Sequence, residues 1–360
     1  MKKILVTGAA GFIGTNFVNY WQTRKPEDAI VALDSLTYAG NATNLKYLCL
    51  EPKFTFIEGD IRDQQLIAQL LSNHQIDTIV HFAAESHVDR SITGPDAFLE
   101  TNIIGTHSLL KAAKQIWVDG DFPTQNHQFH HVSTDEVYGS LGHDDSPFCE
   151  TTPYAPNSPY AASKAASDHL VRAYSQTFKL NTTTSNCSNN YGPFQFPEKL
   201  VPLCILNILL GKPIPVYGDG QQIRDWLFVD DHNTAIDLVL SSKANGETYN
   251  IGGNNEIKNL DVVNLLCALL DTRFATDEAL KLRFPDSPCA RNISATSLVA
   301  FVRDRPGHDV RYAVDASKIK SILNFMPSET FSTGLAKTVD WYLENQPWWE
   351  NIQNGSYRVK

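Results

Sequence analysis

The stretch Val6-Thr7-Gly8-Ala9-Ala10-Gly11-Phe12-Ile13-Gly14 constrains this chain more than any other. It follows the apolar run KILVT and sets Gly8, Gly11 and Gly14 where a strand hands over to a helix. Glycine permits a tight turn there and lets backbone N–H groups approach a pyrophosphate, whose charge sits at the positive end of the helix dipole. An ordinary strand-to-helix turn can carry the same glycines. Asp34 separates the two readings: it closes a second apolar run, AIVALD, 20 residues after Gly14, where a carboxylate can accept hydrogen bonds from an adenosine ribose. An acid at that position repels a 2′-phosphate, so the spacing favours NAD over NADP. Asp60, in EGDIRD, reads either as a contact to the adenine edge or as a cap for the following helix.

The apolar runs KILVTG, AIVALD, FTFIEGD, TIVHFAAE and FHHVST alternate with helix-length segments through the first half of the chain. Strands buried on both faces of a parallel sheet read as near-continuous Val/Ile/Leu runs, and right-handed crossovers place helices on both sides. The expected fold is therefore α/β, a doubly wound parallel Rossmann-type sheet with a second, smaller α/β substrate-binding domain. After about residue 191 Pro and Gly punctuate the chain in YGPFQFPEKLVP, GKPIPVYGDGQ and DRPGHD, and strands become short. Residues 1–191 plus about 222–252 are assigned to the NAD-binding domain, and about 192–221 plus 253–360 to the second. In LAKTVDWYLEN, Leu335, Val339 and Tyr342 fall on one helix face, while Trp341, Trp348 and Trp349 read as packing residues.

Composition removes whole classes of function. With 360 residues, 42% of them hydrophobic, the chain can bury a sizeable core, and a net charge of −10 argues against a nucleic-acid partner while leaving room for a local basic pocket. Six cysteines without a CxxC pair suit reduced thiols in the cytoplasm. The apolar stretch after Lys2 and Lys3 is too short for a signal peptide. LVPLCILNILL, broken by Pro202 and Asn207, falls short of the roughly 20 residues a membrane span needs. His127, His130 and His131 in HNHQFHH fit no helical zinc spacing, so no metal is expected.

Two further motifs carry chemistry. SPYAASKAASD contains Tyr160 and Lys164, four residues apart and so on one face of a helix, where the ammonium can sit beside the phenol. A phenol titrates near 10 and is a poor base at neutral pH; lowering it by roughly three units takes about 4 kcal/mol, which the lysine and an oxidised nicotinamide can together supply. The second motif, Thr134-Asp135-Glu136, ends the run FHHVST with an alcohol and two carboxylates. Thr134 can hydrogen-bond a substrate alcohol. The two acids suit an elimination, one protonating a leaving hydroxyl and the other removing a proton made acidic by a neighbouring ketone. The competing reading makes Asp135 a turn cap and Glu136 a solvated surface acid.

The GxxGxxG spacing and the Tyr-x-x-x-Lys pair resemble the short-chain dehydrogenase/reductase superfamily. HFAAESHVDRSI, VSTDEVYGS, SPYAASKAASDHL, NCSNNYGPFQFPEKLVP, YGDGQQIRDWLFVDDH, YNIGGNNE and DRPGHDVRYAVD together narrow the resemblance to the dTDP-glucose 4,6-dehydratases, an extended branch of it. The resemblance implies a cycle on bound NAD. Tyr160, oriented by Lys164 and helped by Thr134, takes the 4-hydroxyl proton as hydride leaves C4. Glu136 then removes the C5 proton while Asp135, its pKa raised by burial or by the adjacent carboxylate, protonates the departing C6 hydroxyl. Hydride returns to C6, Glu136 reprotonates C5, and the product is dTDP-4-keto-6-deoxy-glucose.

The resemblance also assigns binding positions. Besides Gly8, Gly11, Gly14, Tyr160 and Lys164, it places Phe12, Ile13, Asp34, Ser35, Leu36, Thr37, Asp60, Ile61, Ala83, Ala84, Thr101 and Asn190 on the cofactor. It places Ser86, Thr134, Asn189, Lys199, Arg224, Asn259, Arg305 and His308 on the nucleotide-sugar substrate, with Arg224 and Arg305 as clamps on its pyrophosphate. Without it, QIRDW reads as a loop arginine paired to Asp225. A homodimer through helices near 98–116 and 160–178 is implied too. The rival readings are a nucleotide-sugar 4-epimerase or decarboxylase on the same scaffold, and a catalytically silent NAD-binding regulator.

Overall fold

The computed structural model describes residues 1–120, 126–242 and 244–358. In the first half of the chain the strands are β1 (Lys3–Thr7), β2 (Ala29–Asp34), β3 (Phe54–Glu58), β4 (Thr78–His81), β5 (Gln128–Thr134) and β6 (Thr182–Cys187). They are followed by β7 (Asn189–Tyr191), β8 (Ile214–Tyr217), β9 (Ile223–Phe228), β10 (Glu247–Ile251), β11 (Glu256–Lys258) and β12 (Val299–Val302). Seven of these form one parallel sheet in the order β10-β6-β5-β4-β1-β2-β3. The order reverses between β1 and β4, and in such a sheet ligands bind outside the carboxyl ends of the strands at that point.

Two apolar clusters cover the sheet. On one face, helix Phe12–Arg24 and helix Val229–Ser241 contribute Phe17, Trp21, Ile236 and Val239; on the other, Gln64–Asn73, Thr106–Trp117 and Pro159–Phe178 contribute Leu70, Leu109, Trp117 and Val171. A third cluster lies among helices Leu200–Leu209, Asn259–Thr276 and Phe331–Glu344, where Leu335, Val339 and Tyr342 are fully buried, as their spacing predicts. Trp349 is buried in that cluster, and Trp341 and Trp348 pack against it. β9 pairs with β7 and β11 in a small sheet of its own rather than extending the large one. Ile319, on the helix Ser317–Leu323, packs with Phe325 against the large sheet's cluster, so the chain crosses back after the third cluster.

β6 carries no apolar run, yet every residue of TTTSNC is buried. Two of its hydroxyls are met by its neighbour: His130 Nδ1 lies 2.9 Å from Thr183 Oγ1 and His130 Nε2 3.2 Å from Ser185 Oγ. His131 Nε2 meets Asp168 Oδ1 at 3.0 Å, and His127 Nε2 accepts from the Asn181 amide at 3.1 Å. The three histidines are thus structural members of β5 and its approach. All six cysteines are free thiols, and among the described residues no helix is long and apolar enough to cross a membrane.

Candidate active site

At the end of β1 the chain turns through Gly8, whose φ of +69° is the left-handed region that glycine tolerates. A Cβ there would lie 2.6 Å from the Ala83 amide nitrogen, and one on Gly14 would lie 2.1 Å from the Gly8 carbonyl oxygen. Glycine is therefore required where the chain passes close to itself, Gly8 against the backbone after β4 and Gly14 against the turn that precedes it. Asp34 sits beneath this glycine cradle, accepting from the Ala10 amide at 2.9 Å and the Leu36 amide at 2.8 Å. Burial raises its pKa against these hydrogen bonds. Leu36, between the cleft-lining Ser35 and Thr37, has φ 50° and packs its side chain against the apolar cluster on the sheet. Asp60 is not a helix cap either. Asp63 caps Gln64–Asn73, accepting from the Leu66 amide at 2.9 Å, and Asp60 instead holds Arg62 through Nε at 2.9 Å and Nη2 at 2.7 Å.

The cleft running from this cradle is lined by Phe12, Ile13, Ser35, Thr37, Asp60, Ile61, Ala83, Ala84, Ser86 and Thr101. It continues along Thr134, Asp135, Glu136, Tyr160, Lys164, Asn189, Asn190 and Lys199. Thr101 lies on a π-helical turn, Leu99–Gly105, which the sequence did not disclose. Within that turn Asn102 accepts from the Glu85 amide at 2.9 Å and donates to Ser163 Oγ at 2.8 Å, tying the β4 loop to the helix that bears Tyr160.

The strand β5 ends on Thr134 because the chain leaves the sheet there in a 3₁₀ turn, Asp135–Tyr138. Thr134, not Asp135, is the cap: its Oγ1 accepts from the Glu136 amide at 3.2 Å. The capping role proposed for Asp135 and the solvated role for Glu136 are both corrected, since Asp135 is 2% exposed and Glu136 half-buried in the cleft wall. The Asp135 carboxyl accepts a hydrogen bond from Thr134 at 3.3 Å on one oxygen, and its Oδ2 has no partner among the described residues. Burial, then the neighbouring Glu136 and Asp225, push its pKa well above the usual carboxylate value, the direction that favours its protonated form. Burial also raises Glu136, but Arg224, Arg305 and Lys199 pull against it. Two adjacent carboxyls are thereby held in different protonation tendencies, the pattern that assigns acid and base.

Tyr160 and Lys164 lie on the helix Pro159–Phe178, started by Ser158, whose hydroxyl accepts from the Ala161 amide at 3.1 Å, and by Pro159. Tyr160 and Thr134 line the same stretch of the cleft. In the protein alone its pKa is raised, by burial first and then by Glu136, which is the opposite of what a base requires. The fixed positive charge of a bound nicotinamide is what the expectation adds and the protein side chains do not. Lys164 Nζ donates to the Val132 carbonyl at 2.8 Å, which holds it at the end of β5.

Arg224, Asn259, Arg305 and His308 do not line this cleft, although the charges of Arg224 and Arg305 act on Glu136. Arg224 sits on β9, not in a loop, and is not paired to Asp225: its guanidinium donates to the Ile223 and Asp309 carbonyls at 2.7 and 3.0 Å and lies 4.3 Å from the Tyr312 ring centre. Asp225 instead accepts from the amides of Gly253 and Asn255. Arg305 is engaged with Asp89 at 3.0 Å, His308 with Asp304 at 2.6 Å, and the Asn259 amide with the Gln222 carbonyl at 2.9 Å. Lys199 Nζ donates to the Ser86 carbonyl at 3.0 Å. Sequence reasoning passed over Glu198, although it adjoins Lys199 in FPEKL. It lines the cleft, accepting from Tyr38 at 2.9 Å and Arg90 at 3.1 Å.

A glycine cradle on a parallel, doubly wound sheet, with a Tyr-Lys pair on one helix beside it, defines a dinucleotide-dependent short-chain dehydrogenase/reductase. The family model for GDP-mannose 4,6 dehydratase matches residues 5–338. The dTDP-glucose 4,6-dehydratase of Neisseria meningitidis serogroup B is 53% identical over 100% of this chain and 98% of its own length. Dehydratase 1 of the same name from Escherichia coli K12 is 50% identical over 99% and 97%. The solved dTDP-glucose 4,6-dehydratase of Streptomyces venezuelae, with NAD bound, superposes with a TM-score of 0.85 at 45% identity, over 97% of this chain and 99% of that one. The UDP-glucose 4-epimerase of Thermotoga maritima superposes at 0.80 and 25% identity, over 96% and 99%. The chain belongs to the dTDP-glucose 4,6-dehydratase family of extended short-chain dehydrogenase/reductases.

Proposed function

We propose that the chain converts dTDP-glucose into dTDP-4-keto-6-deoxy-glucose and water, as a cytoplasmic, NAD-containing homodimer. One observation carries the reading beyond the shared scaffold: Asp135, buried with one carboxyl oxygen unpartnered among the described residues, stands next to Glu136 in the wall of the cleft that Tyr160 also lines. An epimerase has no use for that pair, and a silent regulator has no use for the set.

The cradle at Gly8, Gly11 and Gly14, with Asp34 at its base, suits a dinucleotide, and NAD supplies a hydride acceptor for C4 and a hydride donor for C6. Thr134 hydrogen-bonds the substrate 4-hydroxyl and Tyr160, with Lys164 behind it, accepts its proton. The 4-ketone acidifies C5, and Glu136 removes that proton. Asp135 hands its own proton to the C6 hydroxyl, which leaves as water. Glu136 then returns a proton to C5, and as the cycle closes Tyr160 gives up to solvent the proton it took from O4 while Asp135 takes one back, so that both are reset. Ser86, Asn189, Lys199, Arg224, Asn259, Arg305 and His308 are assigned to the nucleotide and its pyrophosphate, Arg305 exchanging Asp89 for phosphate oxygens. Exposed Leu99 and Ile104, and Phe178 on the neighbouring helix, support pairing of two copies through residues 98–116 and 160–178.

Incubation with dTDP-glucose and, separately, UDP-glucose tests the reading. A 4-keto-6-deoxy product from dTDP-glucose is expected. Interconversion of 4-epimers without loss of water would overturn it.

A further inference from the structure

The helix that bears Tyr160 and Lys164 carries a third ionisable group on the same heptad-like stripe, one turn further on: Asp168, buried at 5% exposure. Its carboxyl is locked from three sides. His131 Nε2 lies 3.0 Å from Oδ1, while Ser133 Oγ and Tyr154 OH donate to Oδ2 at 2.8 and 3.0 Å. Ser133 adjoins Thr134, and the preceding residue, Val132, offers the carbonyl that receives Lys164 Nζ. The Lys164 ammonium is therefore buried with a carbonyl as its hydrogen-bond acceptor and a carboxylate one helical turn away.

We propose that Asp168 is a positioning residue for the proton transfer at Tyr160, its carboxylate holding Lys164 as an ammonium inside the protein. This rests on the reading of Tyr160 and Lys164 as the base and its electrostatic partner. Burial lowers the Lys164 pKa, and Asp168 is the first of the charges that oppose it. The other groups facing this pocket supply little charge. From β4 and β5, His81 and His131 are held neutral by burial. From β6, Cys187 is pushed up to about 12 and stays a thiol. Tyr154 and Tyr138 stay phenols because burial raises both, and burial pushes Asp135 in the direction of its neutral form. His169, next to Asp168 on the helix, acts on the carboxylate in the direction that keeps it ionised, as does Lys164. Asp168 itself is raised to about 6, so it is charged at neutral pH.

Activity at Tyr160 needs Lys164 protonated, so losing the carboxylate must bring the alkaline limb of the pH profile to lower pH. In Asp168→Asn, that limb of kcat/KM for dTDP-glucose is expected about one unit lower, making turnover roughly tenfold slower on the far side of it, with the acidic limb in place. Asp168→Glu restores the limb. A readout without substrate accompanies it. Acetylation of Lys164 by acetic anhydride in the NAD-bound protein, followed by peptide mass spectrometry across pH, is expected to show the same downward shift, and it holds whatever sugar the protein dehydrates. If the Asn variant fails to fold, Asp168→Ser takes its place. A folded, charge-removing variant with unmoved alkaline limb and unmoved Lys164 titration overturns the proposal, leaving Asp168 a packing residue that ties β5 to the helix.

Discussion

Asp135→Asn separates the acid step from folding, because burial already favours the neutral form of the native side chain. Asparagine matches it in shape and charge, the hydrogen bond from Thr134 has an amide oxygen to go to, and Oδ2 has no partner to lose. The stability change is therefore expected within about 1 kcal/mol. What disappears is the proton delivered to the C6 hydroxyl. General acids contribute roughly 10²–10⁴ in rate, about 3–5 kcal/mol of barrier. Water loss should slow by that factor while oxidation at C4, which uses Thr134, Tyr160 and Lys164, continues. Stopped-flow absorbance of reduced nicotinamide, with quenched assays of the 4-keto-6-deoxy product, separates the two steps: the reduced form should accumulate in the variant and product should lag. Product formation at the native rate would remove Asp135 from the mechanism. Parallel loss of both steps would mean that the substitution disturbs the arrangement of Thr134 and Tyr160 instead.

Three further outcomes follow from the packing and the buried charges. Gly14→Ala sets a Cβ 2.1 Å from the Gly8 carbonyl oxygen, backbone that cannot yield cheaply, so the purified variant should release less NAD on denaturation and melt lower, by about 1–3 kcal/mol of stability. Leu335→Ala, in the fully buried stripe of the Phe331–Glu344 helix, should cost about 2–5 kcal/mol in urea titration and leave kcat of the folded fraction unchanged. His130 and His232, both pushed down to about 3 by burial, stay neutral where the unfolded chain takes up protons. Their contribution to stability is present above pH 6.5 and is lost as pH falls from there toward 3, so the melting temperature should fall through that window. His232→Gln should flatten the fall; an identical slope would assign acid sensitivity to other groups.

The features legible in the sequence are those whose physics is local. Apolar runs of strand length, glycines at a strand-to-helix turn, and the four-residue spacing of Tyr160 and Lys164 need only near neighbours to have meaning. β6 escaped notice because its Thr and Ser side chains look solvent-directed until His130 on the neighbouring strand meets two of them. Asp60 and Asp63 are equivalent in composition, and which one caps the helix depends on where β3 ends. Arg224 looked like a loop residue because its strand partners, β7 and β11, lie 30 or more residues away in the chain. Glu198 reads as an ordinary acid until Tyr38 and Arg90 come to it from across the cleft. The protonation of Asp135 could be named as a requirement of the chemistry, but what favours it, burial at the foot of β5 beside Glu136 and Asp225, exists only once the chain is folded.

Turnover of dTDP-glucose in deuterium oxide tests the central claim most directly, because Glu136 exchanges its proton with solvent between taking one from C5 and giving one back. Proton NMR of the 4-keto-6-deoxy product should show a single deuterium, carried at C5, with C6 bearing hydrogen from C4. Hydrogen retained at C5 would contradict elimination through a 4-ketone.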